Sequence, residues 1–469
     1  MEKLSRYTFL ILLVLGLLFE VAIWKVSGFS DVRPGLGDFF LYFGIAFLVY
    51  VMALVFVAGF WHRTFFSPEL LIGFGILFRM TMLFSAPVFS DDVCRYVWDG
   101  RVANAGINPY QFAPDSENLH GLRDETIYPH VNHRDVNTIY PPVLQYVFRL
   151  TTMISESVTV MKAVMTLFDI ALMILLFAML RTADRPRGWI VAYAWNPLII
   201  LEVAGNGHAD VIGAFFLMLG LWFALKDKPI HAISALTLSF FSKFMAFATM
   251  PFVEDFRSRL KTWAYLALAV ALGTVVLYLP FLDAGANLWK GLTTYVADWE
   301  FNAFIYKYVH KYFQSLWPVT EHAIPWMGLT IDDLAKFATK MSLFGAGSIL
   351  FLGLLIVHFR KPYRGQKSGL LGFSFILTSA ILLFSPTLHP WYIIWVIPFL
   401  CFFPNAAWVL FSGMVMLSYS VLPEYHRTGV WKEDMEIVNW QYLPFFGILT
   451  VLWAYKTIKK IRSHPEENN

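Results

Sequence analysis

Charge and cysteine are what this sequence has least of. Only 15% of its 469 residues are charged, whereas soluble domains carry about 25%, so an ordinary water-facing surface is excluded. Its two cysteines, Cys94 and Cys401, fall near opposite faces of the membrane in the topology below, and a disulfide framework is excluded with them. No internal repeat, low-complexity linker or matching pair of broken helices in two halves occurs, which argues against solenoids, tethered domains and inverted-repeat transporters. The net charge of +3 is spread along the chain and forms no footprint for nucleic acid.

What is there is apolar: 58% of the residues are hydrophobic, in runs of spanning length from end to end. This predicts an all-α polytopic membrane protein of about 13–14 helices, some too short to cross fully, forming one domain over residues 1–469. The first run, residues 8–25, follows Lys3 and Arg6 without a small-x-small cleavage site and reads as a retained signal-anchor. Basic residues fall on alternate loops: Arg63, Arg181 with Arg185 and Arg187, Lys226 with Lys228, the groups at 257–261 and 360–367, and the tail from Lys456 to Arg462. By the positive-inside rule these loops and both termini are cytoplasmic. Segments near 26–37, 89–155, 205–208, 282–340, 386–390 and 423–440 then lie outside. The parity requires residues 230–256 to form two short helices with Lys243 at the hairpin tip.

The two long outer segments carry apolar residues at helical spacing and read as amphipathic helices along the membrane surface. In the first, S-D-D-V-C-R-Y-V-W-D-G-R from Ser90 starts a helix with Ser90 as N-cap. Asp92, Arg95, Tyr96 and Asp99 share one face of it, which makes Tyr96 and Asp99 candidates for the sugar or acceptor, and Asp91 shares a neighbouring face with Arg95 and Trp98. The helix should end near Gly106, with Asn108-Pro109-Tyr110 folding the loop back and Tyr140-Pro141-Pro142 opening the next helix.

A pair of carboxylates where a membrane span meets water suits sugar transfer from a lipid carrier. An acceptor hydroxyl must lose its proton as it attacks the anomeric carbon, and a carboxylate is the base for that. The leaving lipid phosphate needs cations, for which Arg95, Lys243 and Arg427 are available. Lys243 stands among apolar residues, where a cation is costly unless it meets an anion or snorkels. Glu202, His208 and Asp210 surround a Gly-rich turn and either bind sugar hydroxyls or merely solvate it. His389, beside Trp391 and Tyr392, could orient the base or bind phosphate as a cation, while its aromatic neighbours read as an ordinary interfacial belt. Trp299 and Glu300 combine a stacking face with an acid, as sugar sites do, although surface amphipathicity explains them nearly as well. The double Asp could cap the helix dipole or hold Mg2+ or Mn2+; a lipid monophosphate leaving group has less need of a metal than a nucleotide sugar, so no cofactor is expected.

The run S-D-D-V-C-R-Y-V-W-D-G-R-V-A-N-A-G-I-N-P-Y, then T-I-Y-P-P, W-N-P-L-I-I-L-E-V-A-G-N-G-H-A-D and H-P-W-Y, resembles the polyprenyl-phosphate-mannose-dependent mannosyltransferases of the GT-C superfamily. The resemblance spans most of the chain. It implies a GT-C-like bundle and an inverting transfer on the outer face of a bacterial plasma membrane, from a polyprenyl-phosphate sugar to a glycan or glycolipid acceptor. The pattern D-x-x-R-Y of relatives falls on Asp92, Arg95 and Tyr96, which favours Asp92 over Asp91 as base. Two apolar segments before the one leading into the motif depart from a simple layout, so helix numbering does not transfer. The residues alone leave open a transporter or flippase for a lipid-linked or anionic substrate, and leave the sugar unassigned.

Overall fold

The computed structural model describes residues 2–60, 68–252, 259–316, 331–360 and 367–463, and among them helix is the only regular structure beyond one isolated bridge between Phe301 and Thr387. Arg63, Arg257, Lys361 and Arg364, used above for orientation, lie outside the described residues, as does the 317–330 part of the second long segment. The chain is thus an all-α protein with several helices fit to span a bilayer, as its composition predicts.

Full-length spans are fewer than about 13–14. Among the described residues, seven helices are long and apolar enough to cross, or eight if one bent pair is counted. Three of them are α1 (Glu2–Ser27), α2 (Leu36–Phe60) and, after α3 (Pro68–Leu83), α4 (Asp92–Asn104) and α5 (Pro142–Ile154), α6 (Val158–Thr182). The shortfall has a local cause, because the remaining apolar sequence is broken by caps and prolines. At Asn196-Pro197 the proline cannot continue the preceding helix, and the Asn196 side chain accepts the N–H groups of Leu198 and Ile199 at 3.1 and 3.4 Å. The two halves, Arg187–Ala194 and Pro197–Gly205, meet at 48°.

The broken helices are pinned by buried polar contacts. Arg79 of α3 forms a two-pronged ion pair with Asp169 of α6, at 2.7 and 3.0 Å, and also donates to the Gly75 and Ala194 carbonyls. Tyr193 donates to the same carboxylate at 2.7 Å. Lys243 is therefore not the strongest intramembrane charge, as its apolar context suggests: Arg79 and Asp169 are both fully enclosed. Their mutual neutralisation and complete bonding make that burial tolerable.

Residues 230–252 do reverse direction, and residues 253–256 lie outside the described residues. Helices Asp210–Leu225 and Pro229–Lys243 form an antiparallel hairpin whose turn holds Lys226 and Lys228. At 16 and 15 residues they are about 24 Å long, less than the ~30 Å of hydrocarbon. With the lysine turn at one interface, the Asp210 and Lys243 ends stop short of the other. The second helix halts because Phe244 adopts a left-handed φ of +58°, and 3-10 turns from Met245 to Phe252 carry the chain back.

The segments expected outside gather at one end of this bundle. Arg33, His130 and His426 all act electrostatically on Asp91. His208 meets Asp92, and Asn108 donates to the Phe281 carbonyl at 2.9 Å. Backbone bonds from Phe301 to Pro386 and from Leu388 to Phe301, at 3.1 and 2.8 Å, fasten the second long segment to the stretch before His389.

Candidate active site

α4 starts at Asp92, with Asp91 rather than Ser90 as its capping residue; the Ser90 hydroxyl instead accepts the Asp92 N–H at 3.2 Å. The helix stops at Ala105, after which Gly106 takes φ +78°, near the end expected. Its two carboxylates then differ. Asp91 is exposed at the rim, beside Asp92, Arg33, His130 and His426. Asp92 points inward with its side chain 19% exposed, which leaves it reachable yet held. Asn132 from the following loop donates to Oδ1 at 2.7 Å, so Oδ2 is the oxygen that faces His208, 3.9 Å from its Nδ1.

The rest of the Asp92 face does not line a cleft. Asp99 is buried and accepts from Arg95 Nε at 2.9 Å, Thr138 at 2.5 Å and Gln145 at 3.0 Å. Arg95 spends its remaining nitrogens on the His133 and Val136 carbonyls at 3.3 and 3.0 Å. Tyr96 is enclosed between Phe148, stacked at 4.5 Å, and Tyr140, edge-on at 5.0 Å. Neither a phosphate site at Arg95 nor a sugar site at Tyr96 and Asp99 agrees with this burial. Arg95 and Asp99 instead clamp residues 133–138 onto α4, which is buried over most of its length and therefore needs its polar groups satisfied internally.

Lys243 behaves differently. Its side chain is 17% exposed, and its ammonium lies 3.3 Å from Asp210 Oδ2 and over the rings of Tyr140 and Tyr392 at 5.3 and 5.8 Å. Asp210 is itself held by Trp395, whose indole donates to Oδ1 at 3.1 Å; the indole can lie against this helix because residue 213 is glycine. Asp210 thus pairs with the cation and is enclosed, not presented to a sugar. The Tyr392 hydroxyl meets that of Tyr295 at 2.5 Å.

His389 joins the two sides. Asp92 and Lys243 both act on it, as do His208 and His133. Burial pushes its imidazole down to about 3, which favours the uncharged ring before a phosphate arrives. It belongs to a column of rings: His208 stacks on Trp391 at 4.0 Å, Trp391 on His389 at 4.2 Å, and His389 on Phe301 at 4.6 Å.

Glu202 and His208 have no accessible surface, so they cannot touch a sugar. Glu202 lies in a π-helical stretch, Ile200–Gly205, and Gly207 takes φ +80° to close the turn that returns His208 toward it. Trp299 is half-buried against His133, 4.7 Å between rings, and stays at the rim. Glu300 accepts the Tyr306 hydroxyl at 2.8 Å, a bond within its own segment. Arg427 is 74% exposed and engages Glu424 on the surface, away from the enclosed Lys243. Among the described residues no three His, Cys, Asp or Glu side chains are grouped as metal ligands would be.

Several neighbours of the site are not singled out by sequence. Asn132 sits in a polar loop with no pattern to mark it. Tyr140 reads as part of a proline corner, and nothing in the sequence marks Tyr295. Trp391 and Tyr392 read as an interfacial belt although they flank His389, and that adjacency was the available signal.

Residues 16–259, a little over half of the chain, match the alpha-(1→6)-mannopyranosyltransferase family, N-terminal domain. The chain is similar to alpha-(1→6)-mannopyranosyltransferase A of Corynebacterium glutamicum, 24% identical over 180 residues, which is 37% of this chain and 36% of that protein. The matched region thus spans about a third of the relative's length. No solved structure matches.

Proposed function

The chain belongs to the alpha-(1→6)-mannopyranosyltransferase family, and from that premise we propose that it moves a mannosyl group from a polyprenyl-phosphate carrier to an acceptor hydroxyl at the outer face of a bacterial plasma membrane. The acceptor is a glycan or glycolipid, and the linkage in the family's name is the one to test first. One observation carries the mechanism: Asp92 and Lys243, brought from the first loop and the hairpin tip, act on the same three neighbours, His389, Tyr140 and Tyr392.

Asp92 takes the acceptor proton through the oxygen not held by Asn132. The acceptor oxygen then bonds to the anomeric carbon from the side opposite the phosphate, and the carbon–oxygen bond to the carrier breaks with inversion. The electron pair leaves with the lipid phosphate, which Lys243 meets, assisted by the hydroxyls of Tyr295 and Tyr392. Asp91 shapes the rim and the field around the acceptor. No resident metal enters the scheme, and EDTA treatment should leave the rate unchanged. The transporter or flippase alternative gains no support from the family match.

The test is Asp92→Asn with polyprenyl-phosphate mannose as donor. The side-chain shape remains and the proton acceptor does not, so turnover should fall by about 10²–10⁴-fold while donor binding stays within a few-fold. Retention of most of the rate would remove Asp92 from the role of base. A mass readout over a panel of lipid-phosphate sugars identifies the donor.

A further inference from the structure

His208 and Glu202 cannot reach a substrate, yet they stand in line behind Asp92. Nδ1 of His208 lies 3.9 Å from Asp92 Oδ2, and Nε2 lies 3.2 Å from Glu202 Oε2. Neither contact has full hydrogen-bond geometry, but Nε2 is within ion-pair reach of the Glu202 carboxylate, whereas Nδ1 is left without a close partner. Glu202 is fixed, accepting from the Tyr419 hydroxyl at 2.9 Å and from Asn206 at 3.0 Å. A ring buried only to stack on Trp391 could be phenylalanine, whereas a buried imidazole set against Glu202 on one side, with Nδ1 left facing Asp92, is costly unless it has work with protons. Its π-helical and left-handed surroundings are the kind of irregular backbone that recurs at functional sites.

We propose that His208 is the proton relay behind Asp92 and that Glu202 is the positioning residue that holds it. This rests on the reading of Asp92 as base. The acceptor O–H bond breaks as its oxygen bonds to the anomeric carbon, and the proton passes to Asp92. From the Asp92 hydroxyl it passes to Nδ1 of His208, while the N–H at Nε2 is held by the Glu202 carboxylate. The Asp92 carboxylate is restored before the next acceptor enters, and the proton returns through Asp92 to water once the product has left. The approach of Asp92 to Nδ1 tightens when substrate fills the cleft, as catalytic hydrogen bonds do on binding.

The titratable groups facing His208 are Asp92 from α4, Glu202 and Tyr419, with His389 across Trp391 and Lys162 of α6 against Gly207. Lys162 donates to the Ser85 carbonyl at 2.5 Å, and the two carboxylates are the groups that face the ring nitrogens directly.

The experiment compares pH–rate profiles of the purified full chain and of His208→Gln, Glu202→Gln and Asp92→Asn, with polyprenyl-phosphate mannose as donor. For His208→Gln and Glu202→Gln the expected result is a kcat lowered about 10–100-fold, KM values within about twofold, and a displaced acid limb of kcat. A merely structural role would move KM and the thermal midpoint and leave that limb in place. If His208→Gln does not fold, Glu202→Gln decides, since it keeps the shape that Tyr419 and Asn206 hold. The relay alone is overturned when Asp92→Asn collapses turnover while Glu202→Gln keeps the wild-type kcat and pH profile. Wild-type turnover in Asp92→Asn, or no transfer by the wild type, overturns the underlying reading and the relay together.

Discussion

The Lys243 ammonium lies 3.3 Å from Asp210 Oδ2, and Asp210 is anchored in turn by the Trp395 indole. The cation therefore waits on an anion already in place, and an arriving lipid phosphate has to share it. Lys243→Met removes that partner while keeping the length of the side chain. Donor KM should rise at least tenfold, about 1.4 kcal/mol, with acceptor KM little changed. A donor titration at saturating acceptor reads this, and an unchanged donor KM would take Lys243 out of the phosphate site.

The two adjacent carboxylates should separate cleanly in function. Asp91 stands at the rim among His130, His426 and Arg33, where desolvation pushes its carboxyl above the usual carboxylate range. Asp91→Asn should leave kcat within a few-fold and lose part of whatever salt dependence KM shows. A loss as deep as that expected for Asp92→Asn would mean the base has been placed one residue too late.

Arg95 should register in stability and not in donor affinity. Its removal leaves Asp99 buried with one charge partner fewer and frees the 133–138 loop from α4. Breaking one side of a buried pair costs about 3–5 kcal/mol. Arg95→Met should lower the thermal midpoint in detergent sharply, and the folded fraction should keep its donor KM. Arg427→Gln, at an exposed pair with Glu424, should change neither quantity measurably.

His389 gives a pH dependence of defined sign. Its imidazole is down at about 3 in the folded chain and near about 6.5 when unfolded. Between those values the unfolded state binds the extra proton, so the group's contribution is complete above the unfolded value and drains away as pH falls toward the folded one. His389→Gln should flatten the drop in thermal midpoint between pH 7 and pH 4.5. An equally steep drop in the variant would mean that another group carries the acid sensitivity.

How far these features were legible depended on how local their cause was. The helix at Asp92, its end at Gly106 and the reversal at Lys243 were readable because apolar period, glycine and charge placement act over a few residues, whereas the burial of that helix on nearly every side was not. The inward turn of Arg95 and Asp99 was not. A shared helical face says which residues are neighbours, but whether that face meets substrate or a folded loop is decided by residues 133–145, which have no periodic relation to it. His208 and Glu202 were readable as a polar cluster at an outer turn. Their burial comes from Tyr419 and Trp391, some two hundred residues on, so a sugar-lining role looked open where the packed chain closes it. The Arg79–Asp169 pair was hidden for the same reason, since each residue alone is one charge in an apolar helix.

The four stacked rings from His208 to Phe301 tie together parts of the chain that look like independent covers. Flat rings in contact resist compression, so the separation between the second outer segment and the region of Asp92 is gauged by aromatic thickness. A donor that shifts Phe301 would press on the ring beside the base, and binding and proton chemistry would be geared to one another without either touching the other's residues.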